Sequence, residues 1–425
     1  SIFCSCECRI NLSFFKVNGL CNRSLHHNFI LKKEMNKNLT LLAMIFFLWG
    51  NITAINSVLI IFFYQYFHLS WSQSIFITVI FYVAPFLTCL PCSMLIERQG
   101  YRKVLLLSLT LSVAGCLLFA LALQLDSFAL SLLAMFVVAT GVAAMQVVAN
   151  PYLTLLSAPH KRIGNLCLAS AVNSLGTTLA PMLVALLLAF SPIDILAREE
   201  PISALWLCLA CFSLALIAGV FWIRLPDVAR PGKAASGTYN AWKNRELLFS
   251  VAAIFIYVGV EVSLATSLVK YLITIGGWST TVAMSLVSFY WGGALAGRFL
   301  YGFLADKTGN YTPFLMATLA CATAVMMAIW LNNTTGGYLL ILTGLGNSIL
   351  YPIIFGHTIN KNPAIANISA AAMVMAGIGG AVIPLLQAAC IDGLNLRFSF
   401  LLPVALYLLL ALWGRLNLHP LGTST

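Results

Sequence analysis

Charge is scarce in this chain, and acid is scarcest. Asp and Glu number 12 against 23 Lys and Arg among 425 residues, and charged residues of both signs make up 8% of the whole. A soluble domain carries about a quarter of its residues as charges, so this balance excludes one. The motifs of hydrolysis and nucleotide binding are missing too: there is no H-E-x-x-H, no G-x-S-x-G and no P-loop. Nothing supports an enzyme, and a chain with no ATP-binding motif must draw on an ion gradient for any solute it accumulates.

Cysteine is plentiful, but its spacing is not that of a metal site. Cys4, Cys6 and Cys8 with His26 and His27 match none of the common zinc patterns, so no metal is expected. The C-x-x-C pairs Cys89/Cys92 and Cys208/Cys211 lie in apolar runs, where thiols pack as small hydrophobes.

What is present is apolar sequence: 61% of the residues are hydrophobic. Runs of about 20 residues, each long enough at roughly 1.5 Å per residue to cross a hydrocarbon core of about 30 Å, recur along nearly the whole chain. We place spans at 40–67, 72–96, 104–123, 128–158, 163–190 and 203–224, then at 247–275, 279–305, 312–331, 336–358, 364–390 and 396–414. Residues 225–246, rich in Pro, Gly and basic residues, read as a linker between an N-terminal six-helix bundle (35–224) and a C-terminal bundle with a short tail (247–425). Residues 1–34 are polar and precede Met35; they read as a disordered upstream extension, without the apolar centre of a signal peptide.

Basic residues set the orientation. If the first span enters from the cytoplasm, Arg98, Arg102, Lys103, Lys161, Arg162, Arg224, Arg230, Lys233, Lys243, Arg245, Lys307, Lys361 and Arg415 fall inside, whereas Arg198 and Arg397 fall outside, with Lys270 near an outer helix end. Both termini are therefore expected in the cytoplasm of a bacterial cell, with the chain in its inner membrane. The net charge of +11 is then topology rather than nucleic-acid binding.

The two halves repeat one another. Trp49-Gly50 lines up with Val258-Gly259, and the same offset carries Glu97 in "IERQGYRK" to Asp306 in "ADKTGNY". "GTTLAP" from Gly176 lines up with "GGAVIP" from Gly379. The second-half loop, Gly302-x-x-x-Asp306-Lys307-x-Gly309, resembles the signature loop of the major facilitator superfamily. Its acid can sit at a neighbouring helix N-terminus or pair with Arg298, latching helix ends that must part during transport. Glu97, Arg98, Arg102, Arg298 and Asp306 are accordingly expected to gate conformation and not to touch substrate.

Together these features resemble the major facilitator fold: all-α, integral to the membrane, with twelve transmembrane helices in two pseudo-symmetric six-helix bundles. "FFLWG" at 46–50, "QVVANPY" at 146–152, "NSLGTTLAP" at 173–181, "YVGVEVS" at 257–263 and "YP" at 351–352 look like the fucose-galactose-glucose symporter family within it. Gln146 and Glu261 are similar to the glucose/galactose and N-acetylglucosamine permeases; in the fucose permeases a glutamate stands at the place of Gln146, and the seventh helix has no acid. The resemblance implies a hexose or amino-hexose as substrate. The family's usual first-helix aspartate is Ser57 here, which puts proton coupling through that acid in doubt.

Glu261 is the one carboxylate in mid-span by sequence, about 21 Å along its helix from Leu247. Exposed to lipid it would cost several kcal/mol, so it should face the inter-domain cavity. There it could bond sugar hydroxyls, carry a proton, bind Na⁺, or serve structurally by bonding a neighbouring helix. Neutral polar residues at similar depth complete the candidate site: Asn56, Ser57, Gln146, Asn150, Asn173 and Asn347, with Trp49, Tyr257, Tyr290 and Trp291 as flat faces for sugar C–H groups. Gln146, Asn173 and Glu261 head that set. The expected function is import of a hexose by alternating access, by a monomer in the bilayer, with no cofactor beyond a coupling ion, H⁺ or Na⁺. Uncoupled facilitation, drug or solute efflux by the same fold, and a sugar sensor are the alternatives.

Overall fold

The computed structural model describes residues 37–55, 59, 63, 66–69, 76–189, 199–223, 225–226, 243–278, 280–393 and 395–419. Residues 1–34, most of the 225–246 segment, Asn56 and Ser57 lie outside them. Among the described residues there is no strand. The helices are α1 Lys37–Ile55, α2 Phe76–Gln99, α3 Tyr101–Gln124, α4 Phe128–Leu156, α5 Arg162–Ala189 and α6 Glu199–Ile223. The second set is α7 Arg245–Thr274, α8 Thr280–Thr308, α9 Tyr311–Leu331, α10 Thr334–Lys361, α11 Pro363–Ile391 and α12 Leu396–Leu418. Ten are long and apolar enough to cross a membrane by length and composition; α5 and α8, of 28 and 29 residues, complete the twelve.

The repeat is visible in the backbone. Gly100, between α2 and α3, has φ +84°, and Gly309, between α8 and α9, has φ +66°. Both sit three residues after the matched acids Glu97 and Asp306, where a sharp helix-to-helix turn needs the left-handed region that glycine alone enters without strain.

Proline shapes α10. Pro352 has no N–H to give the carbonyl four residues back, which is that of Ser348, and the helix breaks there into Thr334–Asn347 and Leu350–Lys361. In a membrane such a freed carbonyl needs a partner from a neighbouring helix. It finds Arg298 of α8, whose Nε donates to Ser348 O at 3.1 Å.

The halves meet on the side that bears the basic loops, called here the basic face. The first part of α11, Ala366–Met375, packs on α2 and α4, whereas its second part, Gly379–Gly393, packs on α7 within its own half. Tyr101 donates to Asn367 Oδ1 across this interface, and Arg162 Nη1 donates to Asn360 Oδ1 at 3.0 Å. Deeper in, α5 crosses α8 so closely that a Cβ on Gly164 would stand 2.8 Å from the Gly302 carbonyl. Asp306 lies at the N-terminal turn of α5, with Oδ1 3.5 Å from that same Cβ position. A carboxylate there is stabilised by the N-terminal end of the helix dipole.

Candidate functional site

The site begins with a charge pair in the middle of the C-terminal half. Glu261 of α7 and Arg298 of α8 form an ion pair, Arg298 Nη2 to Glu261 Oε1 at 3.2 Å, with side chains only 11% and 12% exposed. Tyr257, one turn before Glu261, donates to the same Oε1 at 2.6 Å, and Arg298 Nη2 also donates to Tyr257 Oη at 3.2 Å. The guanidinium has two further anchors: Ser348 O through Nε, and Ser174 Oγ of α5 through Nη1. Its planar fork thus spans four partners on three other helices, one of them in the N-terminal half.

Arg298 is the principal correction to the sequence expectation. Of the two placements expected for Asp306, the helix N-terminus is the one seen and the pair with Arg298 is not: the guanidinium binds Glu261 in mid-bundle, and Asp306 lies at the α5 N-terminus. Eight residues of helix, about 12 Å of rise, separate the two. The missed signal was positional. Arg298 lies ten residues before the end of α8 at Thr308, about 15 Å inside, and an arginine at that depth marks a functional cluster with a partner. Glu261 itself is bonded to a neighbouring helix, which is the structural alternative, yet its Oε2 takes no hydrogen bond among the described residues and its side chain keeps a residual opening. Structural pairing and a free acceptor coexist in one carboxylate.

Behind the pair lies a closed polar chain. Tyr290 Oη donates to the Glu261 carbonyl at 2.9 Å and accepts from Asn347 Nδ2 at 2.8 Å, and Tyr407 Oη donates to Asn347 Oδ1 at 2.7 Å. Tyr290, Asn347 and Tyr407 are fully buried. Asn347 and Tyr290, expected as substrate contacts, are therefore bonded to protein, because α12 supplies a tyrosine to their rear. Replacing Asn347 with alanine leaves two buried tyrosine hydroxyls short of a partner; we expect a loss of about 1–3 kcal/mol in thermal unfolding, with apparent substrate affinity within about threefold of wild type.

The N-terminal half offers fewer open groups. Asn173 of α5 is half-buried and donates to Phe46 O of α1 at 2.9 Å, beside Gly50 and Gly176, which let these two helices touch backbone to backbone. Gln146 of α4 is half-buried, while Asn150 is buried and donates to the Gln146 carbonyl at 2.9 Å, with its Oδ1 unpaired among the described residues. Trp49 is packed in the core against Phe46, ring centroids 4.1 Å apart, so it offers no open face. Tyr257 is likewise buried, whereas Trp291 is half-buried and meets Tyr290 edge-on at 5.3 Å. Across from Glu261, Tyr82 of α2 lies within electrostatic reach of its carboxylate. Of the gating set, Glu97 ends α2 beside Tyr101, and Arg98 and Arg102 flank the Gly100 turn.

What remains partly open at mid-depth is Gln146, Asn173, Tyr82, Trp291, Glu261 and Arg298, drawn from both halves. An acid and a base with amides, drawn from two repeated six-helix units, is the kind of set that a membrane carrier built of repeated halves presents. A Major Facilitator Superfamily sequence model matches residues 41–372. The chain is 34% identical over 405 residues to the glucose/galactose transporter of Brucella abortus biovar 1 (strain 9-941), covering 92% of this chain and 97% of that one. It is 23% identical over 427 residues to the L-fucose-proton symporter of Haemophilus influenzae, covering 91% and 97%. Among solved structures, the transporter FucP in the outward conformation matches with a TM-score of 0.79 at 21% identity, over 89% of this chain and 98% of that one. The chain belongs to the major facilitator superfamily and, within it, to the fucose-galactose-glucose symporter family.

Proposed function

We propose that the protein imports a hexose or amino-hexose of the glucose, galactose or N-acetylglucosamine type across the bacterial inner membrane, coupled to H⁺ or Na⁺ through Glu261. The observation that carries this reading is the carboxylate of Glu261, with Oε1 held by Tyr257 and Arg298 and Oε2 without a protein partner among the described residues. An oriented, ionised acceptor in a low-dielectric cavity suits a sugar hydroxyl or a small cation. Gln146 and Asn173, half-buried on the opposite half, are the amides this reading assigns to the same site. The names of the relatives supply the sugar class.

The basic face is the cytoplasmic one in this reading, by the excess of Lys and Arg in its loops. The described contacts between halves run from mid-depth to that face, so the arrangement is the one closed toward the cytoplasm. The protein alternates between this state and its opposite by rocking of the halves about the site.

Binding tests the reading. One of glucose, galactose and N-acetylglucosamine should raise the unfolding temperature of the purified protein in proportion to occupancy, as a ligand of the native state must. Fucose should do so less, and Glu261→Gln or Asn173→Ala should weaken the shift. No shift with any of the four sugars, in protein that unfolds cooperatively, would count against it.

A further inference from the structure

Among the described residues, the Arg298–Ser174 contact is the deepest hydrogen bond between the two halves. Ser174 lies twelve residues into α5 from Arg162, about 18 Å, and Arg298 about 15 Å into α8, so the contact sits between Glu261 and the basic face. It lies where α5 and α8 close on one another, which is called here the floor of the site. Three of its features belong together: the arginine is fixed by Glu261, Tyr257 and the carbonyl that Pro352 frees; it reaches across to the N-terminal half; and the helices on either side of it touch through Gly164, Gly302 and Leu168.

We propose that Arg298 is a positioning residue that reports the charge of Glu261 to the N-terminal half: while Glu261 is ionised, Arg298 holds Ser174 and the cavity floor stays shut, and a cation bound at Glu261 releases it. The physics is that of a buried ion pair. With Glu261 ionised, the guanidinium is neutralised in place and its donors are spent on Glu261, Tyr257, Ser348 and Ser174. A proton or Na⁺ at Glu261 leaves the guanidinium uncompensated in a site with little water, and the state in which it is hydrated gains. That state is the one open at the basic face, since parting α5 from α8 is what admits water to Arg298. A cation arriving from the outer side therefore favours opening to the inner side, and its departure restores the pair.

Among the described residues, the titratable groups that face Glu261 do not supply a rival carboxylate. They are Tyr257 on its own helix, Arg298 and Tyr290 of α8, Tyr351 of α10 with its ring 6.1 Å from that of Tyr257, and Tyr407 of α12 behind Asn347. From the N-terminal half come Tyr82 of α2 and, beside Arg298, Cys167 of α5. The inference rests on the proposed function only in taking Glu261 as the cation site.

Cys167 provides the test, because it is fully buried in the closed floor and becomes reactive when α5 and α8 part. The full chain in detergent is treated with N-ethylmaleimide, and modification of the Cys167 peptide is followed by mass spectrometry, each rate divided by that of the same thiol in denatured protein at the same pH. We expect the normalised rate to rise about tenfold when Glu261 is neutralised, by lowering pH if the ion is H⁺ or by adding NaCl in place of choline chloride if it is Na⁺. Glu261→Gln should react at the fast rate under all conditions. Ser174→Ala should raise the slow rate and shrink the cation response, and Ser174→Thr, which keeps the hydroxyl, should restore both. A wild-type rate indifferent to both cations, or a Glu261→Gln or Ser174→Ala protein indistinguishable from wild type, would overturn the proposal. No sugar enters this measurement, so failure of the sugar assignment is read separately from failure of the latch.

Discussion

Arg298→Ala is expected to be the most damaging single substitution in the protein, lowering stability by about 3–5 kcal/mol and reducing transport to near background. The cause is what it leaves behind. Glu261 stays in mid-bundle, its side chain 11% exposed, with its countercharge gone, and the Ser348 carbonyl freed by Pro352 loses its donor. Thermal unfolding in detergent reads the first loss and sugar exchange the second. A double variant, Arg298→Ala with Glu261→Ala, should be more stable than Arg298→Ala alone, because removing both charges relieves the unpaired one. If the double variant is as unstable as the sum of the two single changes, the pair is not the source of the penalty.

Glu261→Gln should separate two functions that the wild-type residue combines. The amide keeps the shape and an acceptor for sugar, so exchange of labelled against unlabelled sugar should persist within about tenfold of wild type. It cannot gain or lose a charge, so uphill accumulation driven by a proton or sodium gradient should fall to the equilibrium level. Uptake measured with and without each gradient checks this. Full gradient-driven accumulation by Glu261→Gln would remove Glu261 from coupling and send the search to another group.

Much of the fold was legible because membrane helices announce themselves by length and apolarity. The spans read at 128–158 and 312–331 coincide with Phe128–Leu156 and Tyr311–Leu331 to within two residues. The repeat was legible where it rests on backbone demands: Gly100 and Gly309 both occupy the left-handed region at matched turns. Glu261 was legible because an acid in mid-span has few places to go. Its partner was not. Arg298 stands eight residues before Asp306, and sequence proximity drew the two together, although helix geometry sets them about 12 Å apart and delivers Arg298 to another helix.

The candidate sugar contacts were harder to read for a different reason. Asn347 and Gln146 look alike in sequence, each a lone amide among apolar residues. Whether such an amide faces a cavity or a neighbouring helix depends on what the other helices bring. α12 brings Tyr407 to Asn347, and the amide is consumed in a closed chain; Gln146 stays half-buried. Ser174 was passed over for its neighbour Asn173, because a serine in a span gives no sign of the guanidinium that reaches it from the other half.

The most direct measurement is counterflow in proteoliposomes, with labelled glucose, galactose, N-acetylglucosamine and fucose each tested against the same unlabelled sugar inside. Counterflow needs no ion gradient, so it asks whether the cavity at Glu261 carries a hexose before asking what drives it. The predicted result is transient accumulation of one hexose or amino-hexose in preference to fucose, abolished by Arg298→Ala and reduced by Asn173→Ala. Absence of exchange for every sugar, in protein that is folded and monodisperse, would contradict the account.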